Sequence, residues 1–177
     1  MEDLGKDEII VGRYLVKTQK YYYTKDHVWV LVKGSIARVG VTDYAQFQVD
    51  TLEQVRLPNI GDYFESQDVI CTLEGLKGMF EVLSPLTGSV QNTNTYLEDS
   101  PNMINEDPYE EGWILELKMS DPLEIEDLLS SEDYVEYLEE LIKEESEQTN
   151  VIHSQELMEE ESIEEISEDE LGYEDKH

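Results

Sequence analysis

Residues 72–85 read TLEGLKGMFEVLSP, and the one lysine in them, Lys77, stands between two glycines where two apolar runs meet. Before it, Val69-Ile70-Cys71-Thr72-Leu73 is β-branched and apolar; after it, Met79-Phe80-Glu81-Val82-Leu83 is similar, and Gly75 and Gly78 supply the backbone freedom of a turn. The stretch predicts a β-hairpin that presents Lys77 to solvent from its tip. From Gly34 to Leu117 it is the only lysine, with Arg38 and Arg56 the only other cations. An exposed amine on a tight turn suits a modifying enzyme and a swinging acyl arm; the plainer alternative is an ordinary solvated turn lysine.

Outward from this hairpin the pattern is mostly β. Val28–Val32 and Ile36–Val41 alternate around the turn Lys33-Gly34-Ser35, and Thr42 or Asp43 is placed to cap a short helix. Gln54–Leu57 reads as a strand closed by Pro58, Ser89–Asn94 as a strand after the turn Ser84-Pro85-Leu86-Thr87-Gly88, and Trp113–Lys118 as the last strand after a polar loop over 96–112. Asp121, Pro122 and Glu124 predict a helix start with a capping box, and Ser131 caps a second helix whose Tyr134, Leu138, Leu141 and Ile142 share one face. Short strands, close turns and no crossover helices predict an antiparallel sandwich or flattened barrel with short C-terminal helices.

The chain has 177 residues, 39% of them hydrophobic, enough for one domain with a modest core. The expected division is an N-terminal extension over 1–20, the domain with its helices over 21–145, and an acidic, mobile tail over 146–177. A formal charge of −31, from 43 acids against 12 bases, argues against nucleic acid and anionic membrane as partners. More than half of that charge lies from Ser130 onward, where apolar residues are too sparse to offset the ordering entropy. The single cysteine, Cys71, reads as a packed core thiol and fits a reducing compartment. The acidic start MEDLGKDEIIV is unlike a secretory signal, so a cytoplasmic location is expected. Neither a metal-binding cluster nor a catalytic constellation is legible, so the chain is not expected to be an enzyme, and His27 beside Trp29 reads as structural.

The segments YTKDHVWV, ARVGVTDYAQ, RLPNIGD, EGLKGMFEVLSPLTGSV and LEDSPNMINEDPYEEGWILELKMSDPLEIEDLL, in that order over Tyr23–Glu140, resemble the H protein of the glycine cleavage system, a lipoyl-carrier family. The resemblance implies a lipoyl-domain-like sandwich of the barrel-sandwich hybrid type, with lipoate in amide linkage on Lys77 and Glu74, Gly75 and Gly78 around the attachment point. It implies a shuttle that moves an aminomethyl group between glycine decarboxylase and aminomethyltransferase. Dihydrolipoamide dehydrogenase and a lipoylating enzyme are the other implied partners.

Two departures from the family are visible. Glu74-Gly75-Leu76-Lys77-Gly78 stands where the family usually reads Glu-Ser-Val-Lys-Ala, which implies a more flexible tip. His27-Val28-Trp29 stands where it reads His-Glu-Trp. The family's glutamate helps hold the amine of the loaded arm in a cleft, so Asp26, His27, Val28 and Glu81 are the candidate cleft residues, with Asp26 and Glu81 supplying the carboxylates. Val28 leaves room for a carrier reassigned to lipoate relay or to heterodisulfide-reductase-like sulfur oxidation. An interaction protein without lipoate is a third class.

Overall fold

The computed structural model describes residues 5–170, with side chains described as far as residue 162. Five strands come first: β1 (Glu8–Val11), β2 (Tyr14–Lys17), β3 (Tyr21–Tyr23), β4 (Val28–Lys33) and β5 (Ile36–Val41). The helix α1 (Asp43–Val49) leads into β6 (Leu52–Arg56), β7 (Tyr63–Phe64), β8 (Val69–Gly75), β9 (Gly78–Leu83) and β10 (Gly88–Thr93). Two single-turn helices, α2 (Tyr96–Asp99) and α3 (Met103–Glu106), precede β11 (Leu115–Met119), a 3-10 turn at Pro122–Asp127, β12 (Leu129–Ser130) and α4 (Ser131–Glu170).

Every pairing is antiparallel. A seven-stranded sheet in the order β12-β3-β4-β5-β11-β10-β7 and a three-stranded sheet in the order β6-β8-β9 make the sandwich, and β1-β2 form a separate hairpin. Alternation explains the core. Val39, Val41 and Leu117 from the large sheet and Val55, Leu73 and Val82 from the small one belong to one buried cluster, each such side chain contributing roughly 1.5–3 kcal/mol by leaving water. Cys71 lies in the same cluster, and burial pushes its thiol up to about 12.

The chain forms two compact units, residues 1–138 and residues 139–177. In the first, residues 8–17 of the N-terminal segment form a packed hairpin. Val11, Tyr14 and Val16 are buried, the Tyr14 ring meets the Tyr44 and Phe47 rings edge-on at 4.9 and 5.4 Å, and the Leu15 N–H donates to Asp43 at 2.8 Å. Thr42 is the N-cap of α1, accepting from the Ala45 N–H, and the polar loop over 96–112 contains α2 and α3. The capping box is not made: Asp121 accepts from the Leu123 N–H, but Glu124 turns away to accept from the Thr87 N–H at 2.7 Å. At the start of α4 the capping hydroxyl is that of Ser130, not Ser131, accepting from the Asp133 N–H at 3.1 Å.

Tyr134 and Leu138 are buried, as their helical spacing predicts. In the second unit, α4 continues as helix to Glu170 where the sequence suggested a mobile tail. Residues 131–170 contain neither proline nor glycine and are rich in glutamate, a strong helix former. Val151, Ile152, Leu157 and Met158 are all exposed. Residues 1–4 of the expected extension and 171–177 of the expected tail lie outside the described residues.

Candidate functional site

The β8–β9 hairpin is in register to its end, Leu73 opposite Phe80, Glu74 opposite Met79 and Gly75 opposite Gly78. Only Leu76 and Lys77 remain to make the turn. Gly78 has φ +125°, a conformation open to glycine and strained for any other residue. Residues 76–79 are exposed, and among the described residues no ion pair holds Lys77.

Glycines at both ends of the turn suggested a loose tip, and the structure shows one that is tied down. A helix ends with carbonyls that have no partner inside it. Here α1 is stopped by Asp50 at φ +61°, and the carbonyl of its last residue, Val49, accepts the Lys77 N–H at 3.2 Å. The Thr51 carbonyl accepts the Leu76 N–H at 3.1 Å. Gly75 makes this approach feasible: a Cβ at that position would lie well inside contact distance of the Val49 carbonyl oxygen and 3.2 Å from that of Thr51. The backbone beneath Lys77 is therefore hydrogen-bonded to the corner between α1 and β6.

Glu74, one residue before the turn, forms an ion pair with Arg56 of β6 at 3.0 Å. The pair is partly exposed and is worth at most about 1 kcal/mol; its geometric effect is to direct Glu74 across the sheet. Sequence reasoning singled out neither Arg56 nor the Val49–Lys77 bond. Arg56 was visible only as one of two isolated arginines. Gly75 was the sole hint of the close approach.

The four cleft candidates stand in different surroundings. Val28 is 0% exposed and belongs to the core cluster, at the buried start of β4. Glu81 is exposed on β9, opposite Thr72. Asp26 lines a cleft of about 260 Å³ together with Ser66, Gln67, Pro85 and Asp127, and neither His27, Val28 nor Glu81 lines it.

His27 is structural by its contacts. Its ring lies 4.3 Å from that of Tyr44, and its Nδ1 is 2.8 Å from the Tyr134 hydroxyl, which donates to Thr42 Oγ1 at 3.0 Å. Burial lowers the His27 pKa to about 4. The imidazole thus joins the start of β4 to α4 and, through Thr42, to the N-cap of α1.

Comparison with known proteins bears on this arrangement. The family model described as glycine cleavage H-protein matches residues 21–141. The chain is 47% identical over 142 residues to glycine cleavage system H protein 4 of Aquifex aeolicus, covering 80% of this chain and 82% of that one. It is 46% identical over 136 residues to the probable glycine cleavage system H protein of Thermococcus gammatolerans, covering 75% and 99%. The crystal structure of a glycine cleavage system H protein from Mycobacterium marinum superposes with a TM-score of 0.59 at 27% identity, covering 65% of this chain and 93% of that one. With both sheets, the hairpin and its lysine inside the matched span, the chain belongs to the glycine cleavage H-protein family.

Proposed function

We propose that this chain is a lipoyl-bearing shuttle that moves an aminomethyl group on an arm attached to Lys77 between a glycine decarboxylase and an aminomethyltransferase, with dihydrolipoamide dehydrogenase and a lipoylating enzyme as its other partners. The observation that carries the reading is an exposed lysine, alone of its kind over residues 34–117, on a turn whose backbone is hydrogen-bonded to a helix end. The residues present fit the group: Lys77 and its neighbours over 76–79 are exposed, so an arm on Lys77 leaves into solvent.

Lipoate in amide linkage supplies a dithiolane that takes up the one-carbon amine and gives it up again. The chain's own residues present and hold. Val49 and Thr51 fix the tip through their carbonyls, Arg56 draws Glu74 across the sheet, and Gly75 permits the approach. A cationic cargo in partly desolvated surroundings needs a carboxylate partner. Val28 is apolar and buried, so that task falls to Glu81 on the hairpin and Asp26 at its cleft. No protein-borne catalysis is assigned. Among the described residues no helix is long and apolar enough to cross a membrane, and a cytoplasmic setting belongs to this proposal.

The test is the intact mass of the chain after incubation with a lipoylating enzyme, lipoate and ATP, followed by glycine and its decarboxylase. Gain of one lipoyl group on the peptide containing Lys77, then of an aminomethyl group, is the expected result. Absence of the lipoyl group overturns the carrier reading. A second reading, a lipoyl carrier for other cargo, is favoured by Val28, and a lipoylated chain that never loads from glycine would establish it.

A further inference from the structure

On the tip the fold leaves two large apolar side chains in water. Leu76, directly before the lysine, is 64% exposed, and Met79, two residues after it, is 65% exposed, whereas the next residue, Phe80, is partly buried against the core. Neither exposed side chain belongs to the core cluster, and their positions are set by a backbone already hydrogen-bonded at Leu76 and Lys77. We propose that Leu76 and Met79 are the specificity-determining contacts through which the enzyme that acylates Lys77 recognises this chain. The proposal rests on the carrier reading above and names one partner of that site.

The chemistry of the attachment states what the partner must look like. The donor is an activated acyl group, an acyl adenylate or an acyl thioester. The Lys77 amine in its neutral form attacks the acyl carbon and a C–N bond forms. The C–O or C–S bond breaks, its electron pair leaves with the phosphate or the thiolate, and the surplus amine proton passes to a base on the enzyme. An acyl chain built largely of methylenes has to be held in an apolar channel that ends at the acceptor amine. Side chains that bracket the amine meet the mouth of that channel.

Leu76 and Met79 suit that position. They bury there without stranding a polar group, and Met adapts its shape to an irregular rim. The hydrogen bonds from Leu76 and Lys77 to Thr51 and Val49 pre-organise the pair, so docking does not have to order the loop first.

The experiment uses the full chain with a purified lipoate–protein ligase, lipoate, ATP and magnesium. It follows intact mass against time at several carrier concentrations, with thermal unfolding measured alongside. Leu76→Ser and Met79→Ser are each expected to lower kcat/KM, and the double substitution to lower it by roughly tenfold or more, mainly through KM, with unfolding unchanged. Met79→Leu should recover most of what Met79→Ser loses. Leu123→Ser, at an equally exposed apolar position on the 3-10 turn, should keep the wild-type rate. Wild-type acylation on Lys77 with an unaltered kcat/KM in the double variant overturns the proposal and leaves the carrier reading standing. A fall confined to kcat overturns it too, since it would place the effect in the chemical step rather than in docking. A wild-type chain that takes up no lipoyl group overturns both.

Discussion

The backbone N–H of Lys77 donates to the carbonyl of Val49, 28 residues earlier, at 3.2 Å. A helix end that needed hydrogen-bond donors and a hairpin tip that needed anchoring satisfy each other. The close packing depends on the absence of a side chain at Gly75.

Gly75→Ala should therefore act at the lysine without touching it. The added methyl meets the Val49 and Thr51 carbonyls, and overpacking of this kind costs about 1–3 kcal/mol. Urea unfolding should show that loss. Acylation of Lys77, followed by intact mass, should slow because the tip is displaced from the helix end.

Lys77→Arg should preserve the fold and abolish the arm. The side chain is exposed and carries no ion pair among the described residues, so stability should stay within about 0.5 kcal/mol, as expected for surface changes. Lipoyl mass on the variant, or on another lysine of the wild type, would contradict the assignment of this hairpin.

Burial of His27 should give stability a pH dependence whose sign follows from the direction of its shift. Burial holds its folded pKa at about 4, below the ordinary value of 6.5, so the unfolded chain takes up the proton first. Its contribution is complete above about pH 6.5 and is lost as the pH falls from there toward 4. The full effect is on the order of 3 kcal/mol. His27→Asn tolerates the residue's φ of +63° and does not titrate. The stability difference between wild type and variant should shrink as denaturant unfolding is repeated from pH 7 down to pH 4.

Removal of residues 146–177 should leave the thermal transition of the first unit unchanged. The side chains described over 146–162 are exposed, and their acidic residues repel one another. The same deletion should remove a little under half of the helical circular dichroism, because residues 146–170 make up that share of the α-helix described. A drop of several degrees in melting temperature would show that this segment supports the fold.

Much of the fold was legible because strand periodicity is local. The alternation in Val28–Val32 and Ile36–Val41 led directly to β4 and β5, and the apolar runs flanking Lys77 led to β8 and β9. The errors occurred where a side chain had a choice of partners. Glu124 could reach back along its own turn or across to the Thr87 amide, and the second wins because that amide comes from a different segment of chain. The full burial of Val28 was not legible from alternation, since Val28, Trp29 and Val30 are all 0% exposed and β4 is covered on both faces there. The Val49 and Thr51 contacts at the tip join residues more than twenty positions apart, and no periodicity encodes such a meeting.

The hairpin β1-β2 lies ahead of residue 21, where the family match begins. Its Tyr14 rests on Tyr44 and Phe47, its Arg13 guanidinium lies 4.6 Å over the Phe47 ring, and its Leu15 amide is held by Asp43. All four contacts land on α1, whose far end holds the lysine turn. The mechanical unit around Lys77 thus reaches past the border of the family match. A chain cut back to residues 21–141 would keep every strand of the sandwich yet lose the strut behind the lever that aims Lys77.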